Sequence, residues 1–258
     1  MPPRKPVAKK PVVRKPVAKK PVVRKPVVRK PVSKDLPLSG SEHEFNHAPW
    51  VKVIMSNNCY AYAFHDLRKW RPHKSVPGVR STGVLNSDYT HCRGISQKIL
   101  DDNPGKVKVV RYNKKCPNGY YKVMMVVAPK DKYGNPGGDF HFYKQHGIVN
   151  YRIRNGDTVE NMSKFFKVPK RVLEAAATKV GGFAIGKTLR FVCNCFSHKM
   201  GWATGPLLVD SKGLLIKDPR KAGRAYGLNY SKYCDSYCVK NKGIKVGSRL
   251  ANTMGVTR

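Results

Sequence analysis

A five-residue repeat of proline, apolar and basic residues begins the chain and restricts most strongly what this part of it can fold into. From Pro6 the units read PVAKK, PVVRK, PVAKK, PVVRK, PVVRK and PVSKD. Proline donates no backbone hydrogen bond and disfavours helix in the residue before it, so the repeat can form neither a helix nor a central strand. We expect residues 1–34 to form an extended, polyproline-like arm on the order of 100 Å long.

Both the arm and the rest of the chain are strongly basic. Residues 1–34 contain thirteen Lys and Arg and no Asp or Glu, and +23 of the total net charge of +36 lies outside them. Such a surplus causes self-repulsion unless a polyanion neutralises it, which favours nucleic acid, an anionic polymer or an acidic protein surface as the partner. The residues predicted to contact a polyanion or neighbouring subunits are Lys9, Lys10, Arg14, Lys15, Lys19, Lys20, Arg24, Lys25, Arg29 and Lys30.

The sequence shows neither a secretory signal nor a membrane span. No run of about 20 apolar residues predicts a transmembrane helix, and the charged N-terminus has no hydrophobic region after it. The chain has seven cysteines, and an odd number without a secretory signal predicts mostly reduced thiols. The spacing of these cysteines predicts no metal site, and no cofactor-binding motif is present.

Apolar periodicity predicts an α+β domain with an antiparallel sheet. Asn58 is expected to cap a helix that ends before Pro72. On the predicted strand 139–145, Phe140 and Phe142 face one side and His141 the other. The remaining expectations are a strand over 50–55, a helix over 91–101, a strand over 120–129, a hairpin within 197–226 with 210–213 at its tip, and a basic, poorly periodic region over 230–258.

Residues 151–192 resemble a LysM module, a small unit that binds N-acetylglucosamine polymers. The matching residues are Tyr151, Gly156, Asp157, Thr158, Phe165, Val168, Leu173, Ile185, Gly186 and Leu189. The resemblance implies a βααβ insertion in which Thr158 caps the first helix and Pro169 starts the second. It also implies glycan binding through Gly156, Asp157, Thr158 and Ile185. Ala176-Ala177-Thr178 stands where such modules usually have an asparagine after the second helix.

Cys59 follows two asparagines at a predicted helix start, a position that favours a thiolate. The order of Cys59, a strand histidine at 141 and a further polar residue resembles the NlpC-type and amidase branches of the papain-like superfamily. The phrases NNCYAYA, DFHFYKQ and SHKMG also resemble an uncharacterised group of microbial and phage-type proteins. The resemblance implies a papain-like antiparallel sheet with a packed helix.

In that scheme Cys59 is the nucleophile and His141 the general base, His198 or Asp139 orients the histidine, and Asn58 lies near the oxyanion. The alternative is a buried structural cysteine and a structural histidine on the same scaffold. The predicted segments are an arm (1–34), a linker (35–49), a papain-like domain in two parts (50–147 and 195–240), a LysM-like insertion (148–194) and a basic tail (241–258).

Three classes of function fit these features. Prolyl-basic repeats resemble the tails of virion proteins from large algal and amoebal DNA viruses. This resemblance implies a minor capsid or core-associated protein, made in the host cytoplasm, whose arm contacts other virion proteins or packaged nucleic acid through nonspecific charge. The second class is a Cys–His amidase or peptidase that the LysM-like module targets to cell-wall polymer. The third is a histone-like, DNA-condensing protein. We favour the first, which is compatible with the second.

Overall fold

The computed structural model describes Met1 and residues 35–69, 75–83, 89, 91–134 and 136–247, except for the side chains of 136 and 137. The folded part of the chain belongs to the unit Lys34–Arg258. The predicted arm with its ten basic contact residues, from Lys9 to Lys30, lies outside the described residues. The last part of the predicted basic tail, 248–258, also lies outside them.

A six-stranded sheet with the strand order β1-β6-β2-β3-β4-β5 forms the centre of the fold. All its neighbouring strands are antiparallel, and the helices are few and short, so the predicted α+β class is confirmed. The strands are β1 (Val107–Val110), β2 (Tyr120–Lys130), β3 (Pro136–Arg152), β4 (Thr188–Lys199), β5 (Pro206–Leu207) and β6 (Lys232–Lys240). The helices are α1 (Ala48–Val51), α2 (Cys59–Ala63), α3 (Val79–Thr82), α4 (Cys92–Asp102), α5 (Val159–Phe166) and α6 (Lys170–Thr178).

The β2–β3 hairpin defines the two faces of the sheet, because side chains alternate along a strand. Phe140 and Phe142 lie on one face, as predicted, in a core cluster with residues of α2 and α4. Tyr143 lies on the other face, in a cluster with Ile216 and Tyr230 from the chain that follows β4. Complete burial of each phenylalanine contributes about 2–3 kcal/mol. The sheet is therefore covered on both faces.

Between β3 and β4 the chain forms the expected strand–helix–helix–strand pattern. The hydroxyl of Thr158 accepts a hydrogen bond from the Asn161 backbone, and the Asn161 side chain accepts one from the Thr158 backbone. This capping box stabilises the start of α5 by about 1 kcal/mol. α6 begins directly after Pro169. The two outer strands are the ends of β3 and β4, so this pattern continues the main sheet.

The N-terminal part of the fold differs from the sequence prediction. Residues 50–55 form the end of α1 and most of a 3₁₀ turn at Ile54–Ser56. A short apolar run does not by itself distinguish strand from helix. α2 ends at Ala63 because His65 takes a left-handed backbone conformation, with φ 57°. The predicted linker packs on the sheet through Phe45, which is buried and bridges Val149.

The C-terminal region contains the strand β6 (Lys232–Lys240), within the stretch 230–258 that the sequence showed only as basic and poorly periodic. β6 lies between β1 and β2, and two disulfides tie it to the rest of the fold, Cys92–Cys234 and Cys116–Cys238. The prediction of mostly reduced thiols is therefore wrong for these cysteines, because an odd count says nothing about which pairs meet in space. The other three, Cys59, Cys193 and Cys195, are buried thiols.

The predicted hairpin after β4 is confirmed. Val209 bridges Leu215, and the Asp210 side chain accepts backbone hydrogen bonds from Lys212 and Leu214 at the tip. Across the part of the chain that the structure describes, no helix combines the length and apolar character needed to cross a membrane.

Candidate functional site

Two of the predicted site residues, His141 and His198, form a hydrogen-bonded pair on one face of the sheet. β3 and β4 are in register at Tyr143 and His198, which brings the two histidines to neighbouring positions. Nε2 of His141 lies 2.8 Å from Nδ1 of His198, and Nε2 of His198 lies 2.8 Å from the carbonyl oxygen of Val209. Both histidines are buried. The strands β3 and β4 therefore hold the two rings side by side, and His198 joins them to the backbone of Val209.

The chain of hydrogen bonds fixes the tautomers of both rings. A backbone carbonyl only accepts, so Nε2 of His198 carries the proton and donates to Val209. Nδ1 of neutral His198 is then an acceptor, and Nε2 of His141 must donate to it. Neutral His141 consequently has its lone pair on Nδ1. That nitrogen is the atom of the pair that can accept a proton.

Burial keeps both imidazoles neutral at physiological pH. It lowers the pKa of His141 well below 6.5, and the nearby His198 lowers it further. The pKa of His198 falls to about 4 through burial, although the Val209 hydrogen bond and the charge of Asp210 act in the opposite direction. A buried imidazolium has little water to solvate it. The resting pair is thus an unprotonated base.

Cys59 is the first residue of α2 and contacts β3 beside His141. Its Sγ lies 3.7 Å from the carbonyl oxygen of Phe140. Since that oxygen is about 2.8 Å from the next Cα in a trans peptide, the sulfur lies within about 6.5 Å of the Cα of His141. Toward the start of β3, Tyr143 is the last residue that pairs with β4, opposite His198. The Phe140 carbonyl that contacts Cys59 therefore lies just beyond the paired part of these two strands. Cys59 therefore contacts the backbone of β3 beside His141, whereas the His141 ring lies on the face of the sheet opposite the Phe140 and Phe142 side chains that pack with α2.

Lys199, at the end of β4, adds a positive charge near the sulfur. Its Nζ donates to the carbonyl oxygens of Ile54, at 2.9 Å, and Gly201, at 2.7 Å. Burial lowers the pKa of Lys199 to about 8, and the charge of Cys59 opposes that shift. The two groups are thus close enough to interact electrostatically. A nearby ammonium favours the thiolate form of a cysteine.

Two residues considered for supporting roles make other contacts. The Asp139 carboxylate accepts a hydrogen bond from the Tyr230 hydroxyl at 2.9 Å, and His198 occupies the position beside the His141 ring. The Asn58 side chain accepts from the Ala61 backbone and donates to the carbonyl oxygen of Ser75. Asn58 is therefore the predicted helix cap, and its amide is already engaged.

The predicted glycan-binding residues lie in two adjacent loops. Gly156 has φ +82° and its carbonyl accepts from the Asn161 side chain, while the Asp157 carboxylate accepts from the Arg154 backbone. Thr158 forms the capping box already described. Ile185, in the second loop, is 68% exposed. The first three residues shape the turn before α5, and only Ile185 presents a large exposed apolar surface.

A second buried polar cluster was not anticipated from the sequence. On the α2 face, Nδ1 of His146 lies 2.7 Å from the His43 carbonyl and its Nε2 lies 2.6 Å from the Ser197 hydroxyl, which also contacts the Tyr62 hydroxyl. Lys144 is beside them, fully buried, with a pKa lowered to about 7 by that burial. His146 lies within β3, which continues beyond the predicted strand 139–145 as far as Arg152.

A signal for this cluster is present in the sequence. Lys144 and His146 continue the alternate positions that Phe140 and Phe142 begin, so period two alone places all four on one face. The contributions of His43 and His65 had no such signal, because they come from distant segments. The rings of these two histidines stack with their centroids 3.5 Å apart.

Within the described ranges, no three His, Cys, Asp or Glu side chains are grouped so that they could hold a metal ion. No protein-family model, no curated protein and no solved structure was found to match this chain.

Proposed function

We propose that the folded unit is a thiol-dependent hydrolase on a papain-like scaffold, with Cys59 as the nucleophile and His141 as the general base. The observation that carries this proposal is the chain from His141 through His198 to the Val209 carbonyl. This chain of hydrogen bonds leaves Nδ1 of His141 unprotonated. The Cα of His141 lies within about 6.5 Å of the Cys59 sulfur. A base held by a third polar group is the arrangement that activates a nucleophile.

In the proposed reaction, Nδ1 of His141 takes the thiol proton and the Cys59 sulfur attacks an amide carbonyl. His141 then returns the proton to the leaving amine, and water hydrolyses the thioester with the same histidine as base. His198 accepts from Nε2 of His141 and keeps the ring in this tautomer. The charge of Lys199 favours the thiolate before attack.

The proposed substrate is cell-wall polymer, and the βααβ segment between β3 and β4 is proposed to be a LysM-like targeting module. The support is the helix pair, in which Thr158 caps α5 and α6 begins after Pro169, together with the exposed Ile185. An exposed isoleucine beside a tight turn is a surface on which a sugar ring can pack.

The test is release of soluble amines from peptidoglycan by the full chain. Cys59→Ala should abolish release, whereas Cys193→Ala, which removes another buried thiol, should leave it intact. Because a glutamine oxygen can still accept from His141, His198→Gln should retain more activity than His198→Leu. Equal activity of Cys59→Ala and the unchanged chain would refute the assignment.

We also propose that the chain is carried in a virion, where the basic arm contacts other virion proteins or packaged nucleic acid. The support is the PVAKK/PVVRK repeat together with the net charge of +36. Quantitative mass spectrometry of purified particles should find a fixed ratio to the major shell protein after a high-salt wash. Loss in salt would favour binding by charge alone, as a DNA-condensing protein would show.

A further inference from the structure

A cavity of about 670 Å³ lies between α5 and the segment that contains β5. One wall is formed by α5 and the end of β3, and the other by residues 206–209. The volume is within the range of about 300–1,000 Å³ that holds a small organic ligand. The residues predicted to bind glycan, apart from Asp157, do not line it. It is therefore a different site from the exposed surface at Ile185.

The walls of the cavity are mainly apolar. Phe165 contributes a ring that is 37% exposed, and Met162 and Phe166 lie behind it in the core. Leu207 and Leu208 form the opposite side. An apolar chain or ring that enters between these walls would be removed from water. This burial would favour binding by about 25 cal/mol for each Å² of apolar surface.

The rim of the cavity is positively charged. Arg152, Arg154 and His47 line it, and Asp157 is the acidic residue among the lining groups. The Asp157 carboxylate already accepts a hydrogen bond from the Arg154 backbone. Of the ion pairs formed between residues that the structure describes, none involves Arg152 or Arg154. Burial and the charge of Arg154 lower the pKa of His47.

We propose that this cavity binds an amphipathic anion, in which an apolar chain or ring enters between Phe165 and Leu207 and a single carboxylate, sulfonate or phosphate meets Arg154. The combination of apolar walls with unneutralised arginines at the rim selects this chemistry. The basic repeat of residues 1–34 does not fit, because its Lys and Arg would bring like charge to the same rim. The proposal is independent of the Cys59 chemistry.

The probe is octanoate, with octanol as the neutral molecule of the same length, and the readout is the methyl resonances of the full chain with labelled methionine. Met162 lines the cavity, whereas Met124 and Met125 lie in the sheet. Octanoate should shift the Met162 resonance in a saturable way and leave the other two unchanged. Met162→Leu identifies the resonance.

Arg154→Gln should weaken octanoate binding about tenfold, as expected for loss of a charge-assisted hydrogen bond. Arg171→Gln removes the same charge from the exposed surface of α6, away from the cavity, and should leave the affinity unchanged. The proposal would be overturned by an unmoved Met162 resonance, by equal affinity for octanol, or by equal weakening in the two arginine variants.

Discussion

Replacing Lys144 with methionine is expected to stabilise the fold at neutral pH. Lys144 is 1% exposed, and its Nζ is 3.1 Å from the Tyr62 carbonyl oxygen and 3.2 Å from Nδ1 of His65. Its pKa is lowered to about 7 because burial disfavours the ammonium. Methionine has a similar length and no charge to desolvate.

The magnitude follows from the shift in pKa. A change from 10.5 to about 7, at about 1.4 kcal/mol per unit, favours the unfolded state by about 5 kcal/mol at pH 7. Methionine loses the two hydrogen bonds and the contact of the ammonium with the Tyr62 ring, together about 2 kcal/mol. The Tyr62 carbonyl keeps a hydrogen bond from the His65 backbone. The expected net gain is about 3 kcal/mol at pH 7.

The gain must depend on pH with a defined sign. Between pH 7 and 10.5 the unfolded chain binds a proton at Lys144 and the folded chain does not, so the stability of the unchanged protein rises with pH by about 1.4 kcal/mol per unit. The variant lacks this dependence. Its advantage should therefore shrink as pH rises and vanish near pH 9.

Urea unfolding of both proteins at pH 7, 8 and 9 measures this difference. Lys179→Met, at an exposed lysine after α6, is the matched control and should change stability by less than about 0.5 kcal/mol at every pH. An advantage that stays constant with pH, or a variant that is less stable at pH 7, would refute the argument from burial.

Three further outcomes are expected. The pKa of His198 is about 4 in the folded protein and 6.5 in the unfolded chain, so the free energy of unfolding should fall by about 3 kcal/mol as pH falls from 6.5 to 4. Unfolding curves of His198→Gln should lack this loss. Identical pH profiles of the two proteins would contradict the prediction. The double substitution of Cys116 and Cys238 by alanine should lower the free energy of unfolding by about 3–5 kcal/mol, because the disulfide closes a loop of 122 residues. An unchanged midpoint of denaturant unfolding would argue against the disulfide. Thr158→Ala should lower the free energy of unfolding by about 1 kcal/mol through loss of the capping box. Thr178→Ala, at the end of α6, should lower it by less. Equal effects of the two substitutions would contradict the capping role of Thr158.

The elements that the sequence predicted well have strong local signals. The β2–β3 hairpin follows from a β-branched run and an alternating run on either side of a turn. The helix α5 with its Thr158 cap was expected from the resemblance of residues 151–192 to a LysM module. The failures have equally local causes. The short apolar run at 50–55 is ambiguous between strand and helix, and β6 has an amphipathic pattern too weak to be detected.

The candidate site was predictable as a set of residues and not as an arrangement. Each of the three candidate residues lies within a short motif, Cys59 in NNCYAYA, His141 in DFHFYKQ and His198 in SHKMG. These motifs are the reason why the residues could be predicted from the sequence. The choice between His198 and Asp139 as the partner of His141 depends on the register of β3 with β4. That register joins positions 57 residues apart, so no local pattern contains it.

By itself the sequence determined the basic character of the chain, the proline repeat and the alternation that divides β3 into two faces, because these depend on composition and on neighbours along the chain. Tertiary structure alone decided which groups meet: His43 with His65, Lys144 with His65, and Cys116 with Cys238. Each pair joins segments far apart in the chain. Their chemistry, including the lowered pKa of Lys144, arises from the exclusion of water by packing, which no single segment can achieve.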